Sequence, residues 1–206
     1  MERSVFQAEL RATNGSADAA PMIQGYAAVF NQLSVVLYGM FREQIAPGAF
    51  AETLQRDDIR SLWNHNDDFP LGRKANGTLR LQEDPHGLYI ENDPPDTQAG
   101  RDALVSIRRQ DVNQMSFMFD TLVDDWSEDS GSGQIIRTLY KVKLYEVSPV
   151  TFPAYPATVV GVRNEKLGAL PKVPDWVQAR LSGHGAEPAQ VRLALRRRRL
   201  DITSRQ

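Results

Sequence analysis

Three side chains of different chemistry stand where a purely structural residue would serve as well. Ser116 lies in QMSFMFD (114–120), an otherwise largely apolar run. Side chains alternate along a strand, so Met115, Phe117 and Phe119 share one face and Ser116 turns to the other with Met118 and Asp120. Glu146 lies in IIRTLYKVKLYEVS (135–148). Strict alternation groups it with Tyr140, Val142, Leu144 and Ser148, the more apolar set, and so turns a carboxylate inward. A carboxylate taken out of water without a partner is strongly disfavoured, so a buried Glu146 needs a partner or a proton. His65 ends the strand-like IRSLWNH (59–65), near Trp63, Phe69 and Leu71. The other two histidines, His86 in a turn signal and His184 between glycines, are expected in solvent.

A hydroxyl is a poor nucleophile until a base takes its proton, and an imidazole serves as that base once its second nitrogen is held by an acid. Ser116, His65 and Glu146 supply one group of each kind, and chain order is no obstacle because such triads are defined by geometry. Residue pattern alone does not bring them together. Small polar residues are common in strands, a single histidine is ordinarily a hydrogen-bonded structural one, and a strand-end Glu commonly reaches solvent. Asp67 and Asp68 are rival acids beside His65. With His65 and Glu146 they could instead make a metal-dependent hydrolase. The G-x-S-x-G elbow of the α/β hydrolases is missing, so any oxyanion donor lies elsewhere.

The elements that must hold these residues are mostly short strands. IQGYAAVF (23–30) is one; TLRLQED (78–84) and GLYIEND (87–93) alternate and are joined by Pro85-His86-Gly87, the signature of a hairpin. PGAFAETLQ (47–55) predicts a short helix opened by Pro47 and Gly48. Thr97 can cap a second helix running to about Arg109, with Ala103, Leu104 and Ile107 as its buried stripe. SEDSGSG (127–133) is an exposed loop, and Pro149, Pro153 and Pro156 should end regular pairing. Many strands with two intervening helices argue for a β-rich α+β fold: a closed or nearly closed antiparallel sheet with helices packed outside.

Composition narrows the class. The 206 residues are 41% hydrophobic and 24% charged, a globular mix with no run long enough to span a bilayer and no signal-peptide core at MERSVFQAEL. Without cysteine there is no thiolate nucleophile, disulfide or Cys-based zinc site. The net charge of −2 hides an asymmetry: residues 164–206 are +5 and the rest −7. The chain thus divides into an N-terminal segment (1–19), a main domain (20–163) and a basic, Pro-containing extension (164–206) expected to be mobile. RRRR (196–199) lacks aromatic interleaving, so a solvated basic helix is expected in preference to a nucleic-acid site.

The phrases IQGYAAVFNQLS, REQIAPGAFAETL, LWNHNDDFPLGR, GTLRLQEDPHGLYIENDPP, AGRDALVSIRR, QMSFMFD and YEVSPVTFPAYPAT succeed one another over about residues 20–163. In this order they resemble the prohead, or capsid-maturation, proteases of tailed bacteriophages. That family is similar in fold to the herpesvirus assembly proteases, which implies a small antiparallel β-barrel ringed by helices. The resemblance implies a serine endopeptidase with Ser116 as nucleophile and His65 as base, and no cofactor or metal. The herpesvirus relatives use a second histidine as third member; the EVSPVTFPAYP region here offers Glu146. Backbone N–H groups near Ala154 and Tyr155 are the candidate oxyanion donors, and Met118 stands where the family often carries a small residue.

The implied partners are the major capsid protein or its scaffold domain as substrate, and the chain itself by autoproteolysis. A homo-oligomer is a further option, because the herpesvirus relatives become active on dimerisation. The implied location is the interior of the procapsid in the host cytoplasm, or the bacterial cytoplasm for a prophage-encoded chain. An inactive scaffold or capsid-assembly protein with the same fold is the alternative of a different class. The basic extension then suggests a packaging segment that binds scaffold and is later removed. Deleting residues 164–206 should abolish enclosure in procapsids, scored by co-sedimentation, and spare peptidase activity. Unchanged enclosure would rule the packaging role out.

Overall fold

The computed structural model describes residues 1–6, 10–13, 20–151 and 171–182. Its strands are β1 (Glu2–Phe6), β2 (Leu10–Ala12), β3 (Ile23–Val29), β4 (Phe41–Ile45), β5 (Arg60–Trp63), β6 (Asn66–Arg73), β7 (Leu79–Glu83), β8 (Gly87–Asn92), β9 (Gln114–Glu128) and β10 (Ile135–Val150). Its helices are α1 (Ala51–Arg56), α2 (Gln98–Arg108) and α3 (Asp175–Ser182). One sheet is ordered β1-β9-β10-β5-β6, with β4 also paired to β10; the other is ordered β2-β3-β8-β7. Among the described residues these sheets make no closed barrel. The expected fold therefore stands as β-rich with few helices, and the barrel gives way to two sheets sharing one core.

That core is built by alternation. Met115, Phe117 and Phe119 are buried in it, as their period-two spacing predicts, together with Ile23, Leu88 and Ile90 from the second sheet. Phe117 meets Phe119 at 5.2 Å and the edge of Phe50 at 5.6 Å between ring centroids. Helix α2 buries the expected stripe of Ala103, Leu104 and Ile107, and the Thr97 hydroxyl accepts the Gly100 N–H at its N-terminus. At Gly72 of β6 a Cβ would lie 1.8 Å from Oδ1 of the buried Asn92 side chain of β8, so the bare glycine makes room for that amide.

The long strand β10 is the spine of the first sheet. Its first half pairs in parallel with β4, and Glu146 and Val147 pair in parallel with Arg60 and Ser61 of β5. Between those two partners α1 and the turn before it take over. Ala49 O accepts the Val142 N–H at 3.1 Å, and the buried Thr53 hydroxyl accepts the Leu144 N–H at 2.9 Å. Within this stretch the register against β9 shifts between Leu139 and Val142, and again between Leu144 and Glu146. Each β-bulge inserts an unpaired residue and reverses the facing of the residues beyond it. Leu139, Val142, Leu144 and Val147 consequently all reach the core, while Tyr140 is exposed. The strict alternation assumed from sequence therefore fails here.

Other differences have equally local causes. Asp67 and Asp68, beside His65, lie not in a turn but on strand β6 (Asn66–Arg73), which tolerates Pro70 because it is the sheet edge. Pro149 does not end pairing: Pro149 and Val150 remain opposite Met115 and Gln114. Residues 171–182, expected to be part of a mobile extension, pack Val173 and Val177 against Leu37, Met40, Phe41 and Ile135. The remainder of that extension, including RRRR, lies outside the described residues.

Before the bulges, β10 carries Arg137, 2% exposed, whose guanidinium bonds Asp124 Oδ2 at 2.7 Å, Glu43 Oε2 at 2.9 Å and Thr121 Oγ1 at 2.7 Å, and also Glu2. Burial alone would lower its pKa, but hydrogen bonding to Glu2 and the charges of Glu43 and Glu2 raise it above the ordinary arginine value. Arg137→Met strands these carboxylates without their shared cation. Urea unfolding should then lose about 3–5 kcal/mol, whereas an unchanged unfolding midpoint would show that the cluster adds nothing.

Candidate functional site

The end of β10 beyond the second bulge presents Glu146 and Ser148 on the face opposite the core, because Val147 between them is buried in it. Ser116 stands directly opposite Ser148 on β9, so the two serines share that face with Cβ atoms about 5 Å apart. Although this face lies away from the core, Glu146 is 2% exposed and Ser116 and Ser148 are fully shielded. Glu146 is thus out of water, as expected, but on the face opposite the one that strict alternation assigns it. The bulge beside Tyr145 is the reason.

Burial requires the carboxylate to be satisfied, and it is, on both oxygens. Glu146 Oε1 is hydrogen-bonded to His65 Nδ1, and Oε2 accepts the Ser148 hydroxyl. The imidazole comes from the β5–β6 hairpin. Trp63 pairs with Asn66, and the two residues between them have φ of +54° at Asn64 and +59° at His65. Two successive left-handed residues make a type I′ turn, the two-residue loop whose twist suits a hairpin. His65 is therefore a turn residue, not the end of a strand. A histidine in this region is strained by about 1 kcal/mol, a kind of strain that gathers at functional positions.

Asn64 ties that turn down. Its N–H donates to Pro149 O at 3.0 Å, its amide Nδ2 donates to Thr151 Oγ1 at 3.2 Å, and its Oδ1 accepts the Thr151 N–H at 2.8 Å. The turn is thereby locked to the end of the strand that carries Glu146 and Ser148. Asn64, Ser148 and Thr151 were not singled out from sequence. An E-x-S spacing on a strand was the available signal for Ser148; nothing local pointed to a contact between residues 64 and 151.

With Nδ1 engaged by a carboxylate, the ring's Nε2 is the nitrogen left for proton transfer. A hydroxyl, an imidazole and a carboxylate thus lie on adjoining strands and a turn at one end of one sheet, groups of the kinds that acyl transfer through a serine uses. Asp67 and Asp68 are exposed on β6, and the carboxylate on His65 is Glu146. Ala154 and Tyr155 lie outside the described residues. A cavity of about 620 Å³ opens between β9 and α3 beside Asp124, Trp126, Arg137 and Trp176, and none of the three candidate residues lines it. No described helix is long and apolar enough to cross a membrane.

A model of the caudovirus prohead serine protease family matches residues 6–172. The solved structure of the bacteriophage T4 capsid assembly protease is similar at 9% identity and a TM-score of 0.44, covering 73% of this chain and 99% of that one. No curated protein matches the chain.

Asn64→Ala removes both side-chain bonds to Thr151 and leaves a Cβ in the left-handed region. Thermal unfolding should report a loss of about 1–2 kcal/mol, and peptidase activity should fall about ten-fold as His65 loses its anchor. Wild-type activity in this variant would show that the clamp does not position the imidazole.

Proposed function

The chain belongs to the caudovirus prohead serine protease family, and we propose that Ser116, His65 and Glu146 are the residues through which it cleaves peptide bonds. It is a peptidase of phage prohead maturation. The readings as an inactive scaffold or a metal-dependent hydrolase are not favoured by membership of a family of serine proteases. The observation that carries the residue assignment is the buried His65–Glu146 contact, on the sheet face where Ser116 stands one strand away.

His65 Nε2 accepts the Ser116 Oγ proton as that oxygen attacks the scissile carbonyl carbon. The tetrahedral intermediate collapses as His65 returns the proton to the departing amine, leaving an acyl-enzyme on Ser116. Water, deprotonated by the same nitrogen, releases the acid and restores the hydroxyl. Glu146 holds the Nδ1–H tautomer and offsets the imidazolium charge in each half of the cycle. The substrates are the capsid protein or its scaffold domain and the chain itself, met in the interior of the procapsid.

Co-expression with the major capsid protein tests the assignment. Wild type should process it, and Ser116→Ala and His65→Ala should each lower the rate by at least about a thousand-fold. A serine-directed fluorophosphonate should label Ser116 in the wild type, and chelators should leave the rate unchanged. Equal processing by wild type and Ser116→Ala would end the assignment.

A further inference from the structure

Glu146 has two oxygens and His65 uses one of them. The other accepts the hydroxyl of Ser148, a residue that is fully buried and has no place in the three-residue machinery above. We propose that Ser148 is a positioning residue, whose hydroxyl fixes the plane of the Glu146 carboxylate and so aims its other oxygen at His65 Nδ1. The inference rests on the catalytic assignment made under "Proposed function".

The physical need is specific. The terminal torsion of a glutamate is broad, so a carboxylate anchored at one oxygen can still swing about its axis. An imidazole held by such a carboxylate would share that freedom, and its Nε2 would sample positions away from the serine. A second anchor on the opposite oxygen removes the motion. Ser148 is well placed to be that anchor because it lies two residues along the same strand, on the same face, with the rigid core residue Val147 between them. Its hydroxyl also satisfies a buried oxygen that would otherwise lack a partner among the described residues.

Ser148 also stands opposite Ser116. The two hydroxyls have different occupations: the proton of Ser148 is committed to a carboxylate, so it is not available for abstraction by His65 while that bond holds. One serine supports the acid; the other, Ser116, is the nucleophile assigned under "Proposed function".

The test is a double-mutant cycle in the full chain, measuring kcat and KM on a capsid-protein peptide. Ser148→Ala should lower kcat about ten-fold or more with KM within about two-fold of wild type. Ser148→Cys, which keeps the volume but donates weakly, should lower kcat in the same way, so the outcome does not depend on the alanine variant folding. In a Glu146→Ala background, where no carboxylate remains to be held, Ser148→Ala should cause no further loss. An equal fold-loss in both backgrounds, or an unchanged kcat in the wild-type background, overturns the positioning role. Mapping the fluorophosphonate adduct separates the two possible failures. Label on Ser116 with kcat unaffected at position 148 overturns this inference alone; label on Ser148 or elsewhere overturns the catalytic assignment and this inference with it.

Discussion

A carboxylate is held out of water at the end of β10, and the surrounding architecture answers the demand this creates. Glu146 is tolerated there because each oxygen has a partner from a different source: an imidazole from a hairpin turn and a hydroxyl from its own strand. Neither partner is free to drift. Ser148 is fixed by the strand, and His65 by a type I′ turn that Asn64 fastens to Thr151 and Pro149. Hydrogen bonds to backbone groups thus give a flexible ring a fixed place.

β10 meets two electrostatic problems and solves them by opposite means. At one end the buried charge is a cation, Arg137, surrounded by Glu2, Glu43 and Asp124. At the other end the buried group is an acid, faced by an imidazole and an alcohol, both of which can move protons. The first cluster has permanent charges of both signs and suits cohesion. The second joins a carboxylate to an imidazole and an alcohol, so that hydrogen bonding rather than a permanent counter-charge satisfies it. The segment between them, where α1 replaces a neighbouring strand and the register slips, lets one strand bury its apolar residues inward and still turn Glu146 and Ser148 to the other face.

Much of this was legible locally. The stripe of α2 and its Thr97 cap, the β7–β8 hairpin and the inward set Met115, Phe117 and Phe119 all arise from period and turn chemistry, which act over a few residues. The same rules failed where a distant partner intervened. Edge position made a strand of the proline-containing segment 66–73, and a waiting apolar cluster recruited Val173 and Val177 from a segment whose prolines had suggested looseness. The barrel expected by resemblance is represented by two sheets, since closure depends on how strand edges meet and not on any one strand's pattern.

By itself the sequence determined the chemical cast: one serine set against an apolar strand face, one histidine near the core's edge and one acid in an apolar strand, with seven ordered phrases pointing to a peptidase. Tertiary structure decided which acid meets the histidine, which face bears it and which hydroxyl steadies it. The physical reason is range. Alternation and turn preference are properties of neighbours in the chain, whereas the contact between residues 65 and 146 depends on a bulge, a parallel strand pairing and a turn anchored 87 residues away.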